Sequence, residues 1–134
     1  MIKLMLDTNM CIYIIKQKPK KVINNFKKLS FSEVGISSIV LSRLEYGVVK
    51  STKPTQNRLA LTQFLAPLEM LPYDDIAAFY YGKLHAHLQK MGTPIGSLDM
   101  LIAAHTLSVG CSLVTNNASE FQRVPRLKIL NWAK

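Results

Sequence analysis

The 134-residue sequence predicts an α/β fold, a central and mainly parallel sheet of four to five strands flanked by helices on both faces. Three observations carry this expectation. Short apolar runs alternate with longer stretches of helical periodicity, the pattern of a parallel sheet covered on both sides. The first run, Ile2-Lys3-Leu4-Met5-Leu6, passes directly into Asp7-Thr8-Asn9, so a carboxylate stands at the carboxyl end of a buried strand. In open α/β sheets that edge collects ligands. Finally, 49% of the residues are hydrophobic, and no repeat, linker or low-complexity tract interrupts them. A single domain over 1–134 is expected to bury its core without staples.

The elements follow in order. Residues 2–6 read as a buried strand. Residues 8–16 and 19–28 read as helices, with Pro19 at a natural helix start because its missing N–H costs nothing there. Val34-Gly35-Ile36 is a short strand. Ser37-Ser38 then offers side-chain oxygens to the unpaired N–H groups of a helix running to about Lys50. Pro54 opens a helix that ends near Ala66. Leu68-Glu69-Met70-Leu71 is a third strand. Asp74-Asp75 charge and cap a long helix to about Lys90, which Gly92 and Pro94 stop. Ser97 starts a helix ending near Gly110. Ser112-Leu113-Val114 is a fourth strand, and Lys128-Ile129-Leu130 is a shorter fifth.

Charge narrows the partners. Lys and Arg number 17 against 8 Asp and Glu, a net charge of +9. Such a balance suits a polyanion: nucleic acid, an acidic protein or an anionic surface. No apolar run is long enough to span a bilayer, so no membrane partner is expected. The amino terminus enters a strand at once rather than a secretory signal. Cys11 and Cys111 stand in apolar surroundings without metal-ligand spacing, as in a reduced, cytoplasmic protein.

With so few acids, their positions are informative. Asp7 follows the first strand, Asp99 lies in the first turn of the helix from Ser97, and Glu120 follows the fourth strand in Thr115-Asn116-Asn117-Ala118-Ser119-Glu120. Parallel strands send their carboxyl ends to one edge. The Asp99 helix runs antiparallel to the strand it feeds, so its amino end belongs there too. Clustered carboxylates repel one another and bind protons unless a cation compensates. Oxygen ligands of this kind suit Mg2+ or Mn2+, which activates water and clamps phosphate. A basic surface around an acidic hole is the charge layout of a nuclease. Each acid also has a plain reading: Asp7 or Thr8 as a helix cap, Asp99 as a charge favouring the helix dipole, Glu120 as a solvated loop charge.

Competing constellations are weak. His85 and His87 are two apart on a helix, so their rings diverge. His105 reads as a helix-face residue, Tyr80-Tyr81 as helix packing, and the glycines form no phosphate loop.

In order along the chain, Met5-Leu6-Asp7-Thr8-Asn9, Ile36-Ser37-Ser38-Ile39, Tyr46-Gly47 and Gly92-Thr93-Pro94-Ile95-Gly96 with Asp99 and Ile102-Ala103-Ala104-His105 form a pattern. Leu113-Val114-Thr115-Asn116-Asn117, Glu120-Phe121 and Asn131-Trp132 continue it. In these segments the chain resembles the PIN-domain ribonucleases, and among them the VapC-type toxins of bacterial toxin–antitoxin pairs. The resemblance implies a Mg2+- or Mn2+-dependent endoribonuclease with Asp7 and Asp99 as metal-binding carboxylates. It also implies a tRNA substrate, cut in the initiator anticodon loop, a VapB-type antitoxin whose carboxyl-terminal segment inserts near the active site, and a homodimer. Glu120 and Asn117 stand as possible catalytic helpers. Thr8, Asn9 and Thr115 are short polar groups at the same edge, suited to orienting carboxylates or phosphate, or to turns and caps.

One residue departs from the family motif Ser-Ser-Ile-Thr-Leu-x-Glu-Leu. With Ser38 and Tyr46-Gly47 in register, its acid falls on Arg43. Glu45 lies two residues on, about 200° round the helix, and is expected to face elsewhere. Arg43 places a positive charge beside the cation; at about 4 Å this costs roughly 1 kcal/mol in water and about 4 at intermediate dielectric. Arg cannot relieve it by losing its proton. Arg43 is therefore expected to pair with Asp7 or Asp99 in the metal's place, leaving a weakened or inactive nuclease. The alternatives are that two carboxylates suffice, that the chain is a silent module binding antitoxin and RNA, or that it cuts DNA.

Overall fold

Five strands form one sheet in the order β3-β2-β1-β4-β5, every neighbouring pair parallel. The structure, a computed structural model, describes residues 1–133; Lys134, the last residue of the expected domain, lies outside the described residues. The strands are β1 (Leu4–Leu6), β2 (Val34–Ser37), β3 (Glu69–Leu71), β4 (Ser112–Val114) and β5 (Ile129–Leu130). The helices are α1 (Thr8–Lys16), α2 (Lys20–Lys27), α3 (Ser38–Lys50), α4 (Pro54–Leu65), α5 (Asp75–Met91), α6 (Ser97–Val109) and α7 (Ala118–Phe121). None of them is long and apolar enough to cross a membrane.

The strand order locates the site. The chain runs outward from β1 through β2 to β3, then returns to lay β4 on the other side of β1. The order therefore reverses between β1 and β4, and a crevice opens outside their carboxyl ends. Right-handed crossovers that move in opposite directions across a sheet cover opposite faces. α1 to α4 belong to the outward run, and α5 with α6 to the return. Met5, Leu6, Val34, Ile36, Leu113 and Val114 are each at most 1% exposed, as expected of central strands covered on both faces. The two edge strands differ: Glu69 and Met70 on β3 and Leu130 on β5 are exposed, and the charge of Glu69 discourages edge pairing.

The structure shortens or adds elements at the margins. β1 begins at Leu4 rather than Ile2, although Lys3 N–H already donates to Glu33 O at 2.9 Å. A 3₁₀ turn at Phe31–Glu33 and the one-turn α7 were not legible, since single turns carry no periodic signal. Tyr81 packs against the core as expected, but Tyr80 is exposed, in a T-shaped pair with Phe79.

The serine cap of α3 is tied to a buried histidine. Ser37 Oγ accepts from Ile39 N–H at 3.1 Å and lies 2.7 Å from His105 Nδ1. The His105 and Tyr73 rings meet edge to face, their centroids 5.5 Å apart. Burial pushes the His105 pKa down, against smaller upward pulls from Asp74 and the Pro72 backbone. A histidine lowered in the folded state contributes stability that is complete above its unfolded pKa of about 6.5 and is lost as pH falls below it. Urea unfolding should therefore show the wild type weakening between roughly pH 6.5 and 5, with a flatter profile for His105→Gln over the same window.

Candidate active site

Asp7 leaves β1 in extended conformation and caps α1: its Oδ1 accepts from Met10 N–H at 2.9 Å. Its Oδ2 accepts from the Thr115 hydroxyl in a short hydrogen bond, and Thr115 Oγ1 in turn accepts from Asn117 N–H at 2.9 Å. The cap reading and the site reading of Asp7 thus hold together. One carboxylate joins the end of β1, the start of α1 and the loop after β4.

Asp99 arrives from the first turn of α6, whose amino end comes to the same edge. Its Oδ1 accepts from Arg43 Nη1 on α3 at 3.2 Å, and the same nitrogen lies 3.5 Å from Thr8 Oγ1. Asp7, Thr8, Asn9, Arg43, Asp99 and Asn117 line one cleft at this point. The structure therefore brings together six of the residues singled out in the sequence, from four widely separated segments.

Two expected members sit differently. Thr115 is fully buried beneath Asp7, so its hydroxyl supports the carboxylate instead of facing the cleft. Glu120 accepts from Gly96 N–H through Oε1 and from the Asn117 side-chain amide through Oε2 at 2.8 Å, and its carboxylate lies beside that of Asp99. It steadies the start of α6 and orients Asn117, outside the cleft lining. Glu45 faces away, as its helical offset requires, and pairs with Arg58 at 2.6 Å.

The acids feel distinct environments. Burial raises the Asp7 carboxyl above its ordinary value, with Asp99 adding to the rise; Thr115, Met10 and Arg43 pull the other way. Burial also raises Asp99, against the pull of Arg43. Glu120 is lowered, first by the Gly96 N–H. Carboxylates that crowd a poorly hydrated cleft hold protons unless a cation is near. Here the cation is a guanidinium.

Asp7, Asp99, Thr8, Asn9 and Asn117 offer only hard oxygens and amides. That donor set fits Mg2+ or Mn2+, which binds through one or two carboxylates and completes its shell with water or substrate phosphate. Among the described residues no three His, Cys, Asp or Glu side chains gather around a common point, so the fit rests on the two aspartates. Arg43 engages one Asp99 oxygen, Oδ1, so its guanidinium stands beside any ion the two aspartates would hold.

Sequence reasoning missed two features of the surroundings. Asn116 Nδ2 donates to the Tyr13 hydroxyl at 2.8 Å across the rim of the cleft. Beside Arg43, an apolar groove runs between α1, α3 and α4, lined by Ile12, Ile15, Leu44, Val48 and Leu61. Its members recur at helical spacing, a signal indistinguishable from ordinary core-facing stripes.

Comparison with known proteins agrees with this geometry. The family model described as PIN domain matches residues 4–127. The chain is 45% identical to Ribonuclease VapC2 of Rickettsia felis, over 97% of this chain and 98% of that protein. It is also 45% identical to the tRNA(fMet)-specific endonuclease VapC of Salmonella typhimurium, over 98% of this chain and 99% of that protein. Among solved structures, DNA-bound VapBC from Salmonella typhimurium superposes with a TM-score of 0.93 at 45% identity, covering 98% of this chain and 99% of that one.

The raised carboxyls carry a consequence for stability in metal-free solution. A carboxyl whose folded pKa is raised loses stability as pH climbs from its unfolded value through the folded one. Asp7→Asn keeps an acceptor for Met10 N–H and removes that charge. Its melting temperature in EDTA at pH 7 to 8 should exceed that of the wild type, by a few degrees for each ~1 kcal/mol gained.

Proposed function

The chain belongs to the PIN-domain family, among the VapC ribonucleases, and from that premise we propose that it is a metal-dependent endoribonuclease held in check by an antitoxin. The observation that carries this reading is the convergence of Asp7 and Asp99 at the point where strand order reverses, on a chain of net charge +9. The basic surface draws a polyanion in, and the acids receive it through a cation.

In this reading Asp7 and Asp99 hold Mg2+ or Mn2+. The bound ion supplies positive charge to the phosphodiester and lowers the pKa of a water. The protein's own residues do the rest. Met10 N–H and Thr115 fix Asp7 in one orientation. Glu120 holds Asn117 at the cleft, where its amide can bond a water or a phosphate oxygen. Thr8 and Asn9 also line the cleft.

Substrate and partner follow from the relatives. The protein named tRNA(fMet)-specific endonuclease in Salmonella typhimurium matches nearly the whole chain, which supports initiator tRNA as substrate; a cut in its anticodon loop is what the family resemblance implies. The neighbours solved as VapBC complexes support a VapB-type antitoxin. The apolar groove beside Arg43 opens next to the acids, so an antitoxin segment lying there covers them. Exposed Ile76 and Phe79 on α5 support a homodimer.

Arg43 sets the activity. Its ion pair with Asp99 stands where the resemblance places a third acid, and we read the chain as a weakened nuclease. The same ion pair favours a second reading, a silent module that keeps antitoxin and RNA binding without cutting.

Incubation with total tRNA and with single-stranded DNA, each with Mg2+ and with EDTA, separates these readings. Arg43→Glu should raise Mg2+-dependent tRNA cleavage by roughly 10²-fold, the scale of one well-placed charge at a transition state, and Asp7→Ala should abolish it. Equal cleavage by wild type and Arg43→Glu sinks the role given to Arg43. Cleavage of DNA alone moves the substrate to DNA.

A further inference from the structure

We propose that the hollow formed by Ile12, Tyr13, Lys16, Lys18 and Pro19 is a nucleotide subsite, holding a base and phosphate of the RNA strand next to the linkage that is cut. The inference rests on the ribonuclease reading above and adds the place where the substrate strand leaves the cleft.

α1 begins at the acids and leads away from them. Asn9 lines the cleft, and Tyr13 and Lys16 follow at i+4 and i+7, on the same side of the helix. Successive turns are 5.4 Å apart, so Tyr13 stands about one turn from the cleft lip. The ring is also tethered. Its hydroxyl accepts from Asn116 Nδ2 at 2.8 Å, and Asn116 lies between Thr115, which bonds Asp7, and Asn117, which lines the cleft. That bond crosses from α1 to the loop after β4 and keeps the half-buried ring at the rim. With its hydroxyl so engaged, Tyr13 has its ring left to meet a base.

The flanks suit a nucleotide. Ile12 and Pro19 give the hollow an apolar floor. Lys16 and Lys18 are exposed and, among the described residues, form no ion pair. The stretch from Thr8 to Ser32 carries Lys16, Lys18, Lys20, Lys21, Lys27 and Lys28 and no Asp or Glu. An aromatic face beside uncompensated cations is how single-stranded nucleic acid is gripped without base readout: the ring stacks and the lysines take phosphates.

Anisotropy of a fluorescein-labelled single-stranded oligoribonucleotide, measured in EDTA so that nothing is cut, tests the subsite. Tyr13→Leu keeps bulk against the core but has no π face, and should weaken binding about tenfold, the scale of one missing base stack. Tyr13→Phe keeps the face and loses only the tether to Asn116, and should retain most of the affinity. Lys16→Gln combined with Lys18→Gln, both exposed and so harmless to folding, should flatten the slope of log Kd against log salt by about 1.4, or about 0.7 for each phosphate left without its lysine. Lys83→Gln combined with Lys90→Gln on α5, outside the hollow, removes the same two charges and should keep the wild-type slope. Unchanged affinity in Tyr13→Leu, or an unchanged slope in the lysine pair, overturns the subsite and leaves the ribonuclease reading standing. A wild type that binds no RNA overturns both.

Discussion

Both oxygens of the Asp7 carboxylate are engaged, one by the backbone of α1 and one by a hydroxyl from the loop after β4, and the rest of the site is arranged around that fact. A buried carboxylate is costly unless its lone pairs are satisfied. Satisfying them here needs β1, α1 and the β4 loop in one mutual position. β1 is the central strand, paired with β2 on one side and β4 on the other. The carboxylate therefore reads out the register of the sheet: a slip at the β1–β4 pairing would withdraw Thr115 and leave a buried acceptor without its donor.

Asp99 is held differently. Its helix offers no side-chain cap, and its charge is met from α3 by Arg43. Asp7 is fixed by its own fold elements, whereas Asp99 is balanced by a group that belongs to a third one. This asymmetry explains how an ion pair stands at the mouth of the cleft. Two raised carboxyls need positive charge nearby, and a guanidinium supplies it without protein rearrangement. The same helix that carries Arg43 also presents Leu44 and Val48 to the apolar groove. A partner lying in that groove would touch the same helix that carries the counter-charge of Asp99.

Much of this was legible in the sequence because the chemistry lies at element ends. Strand-to-acid transitions such as Leu6-Asp7, and acids in a first helical turn such as Asp99, can be placed on a sheet edge from topology alone. The offset of Glu45 from Arg43 also followed from helix geometry, and Glu45 indeed pairs with Arg58. What escaped depended on side-chain direction across long separations. Glu120 lay in the right loop, but one turn of α7 aims it at Gly96 and Asn117. Thr115 sat at the right edge but points inward, because the residue after a central strand is still under the helices. The Tyr13–Asn116 bond joins positions 103 residues apart, and neither residue type announces it.

α1 emerges as the element that connects the separate surfaces. Its amino end carries the Asp7 cap, and its buried side anchors in the core through Met10, Cys11 and Ile14. Ile12 and Lys16 line both the apolar groove and the Tyr13 hollow, so the helix is a partition between them. An apolar protein segment has shape and chemistry for one side, and a nucleotide with its phosphate for the other. Because Lys16 borders both, a partner carrying acids near the end of its segment would draw that side chain toward the groove and away from the strand. Protein and RNA would then compete for one lysine as well as for the carboxylate cleft. A short helix of nine residues would thereby border both the strand that the proposed site binds and the segment that shuts it.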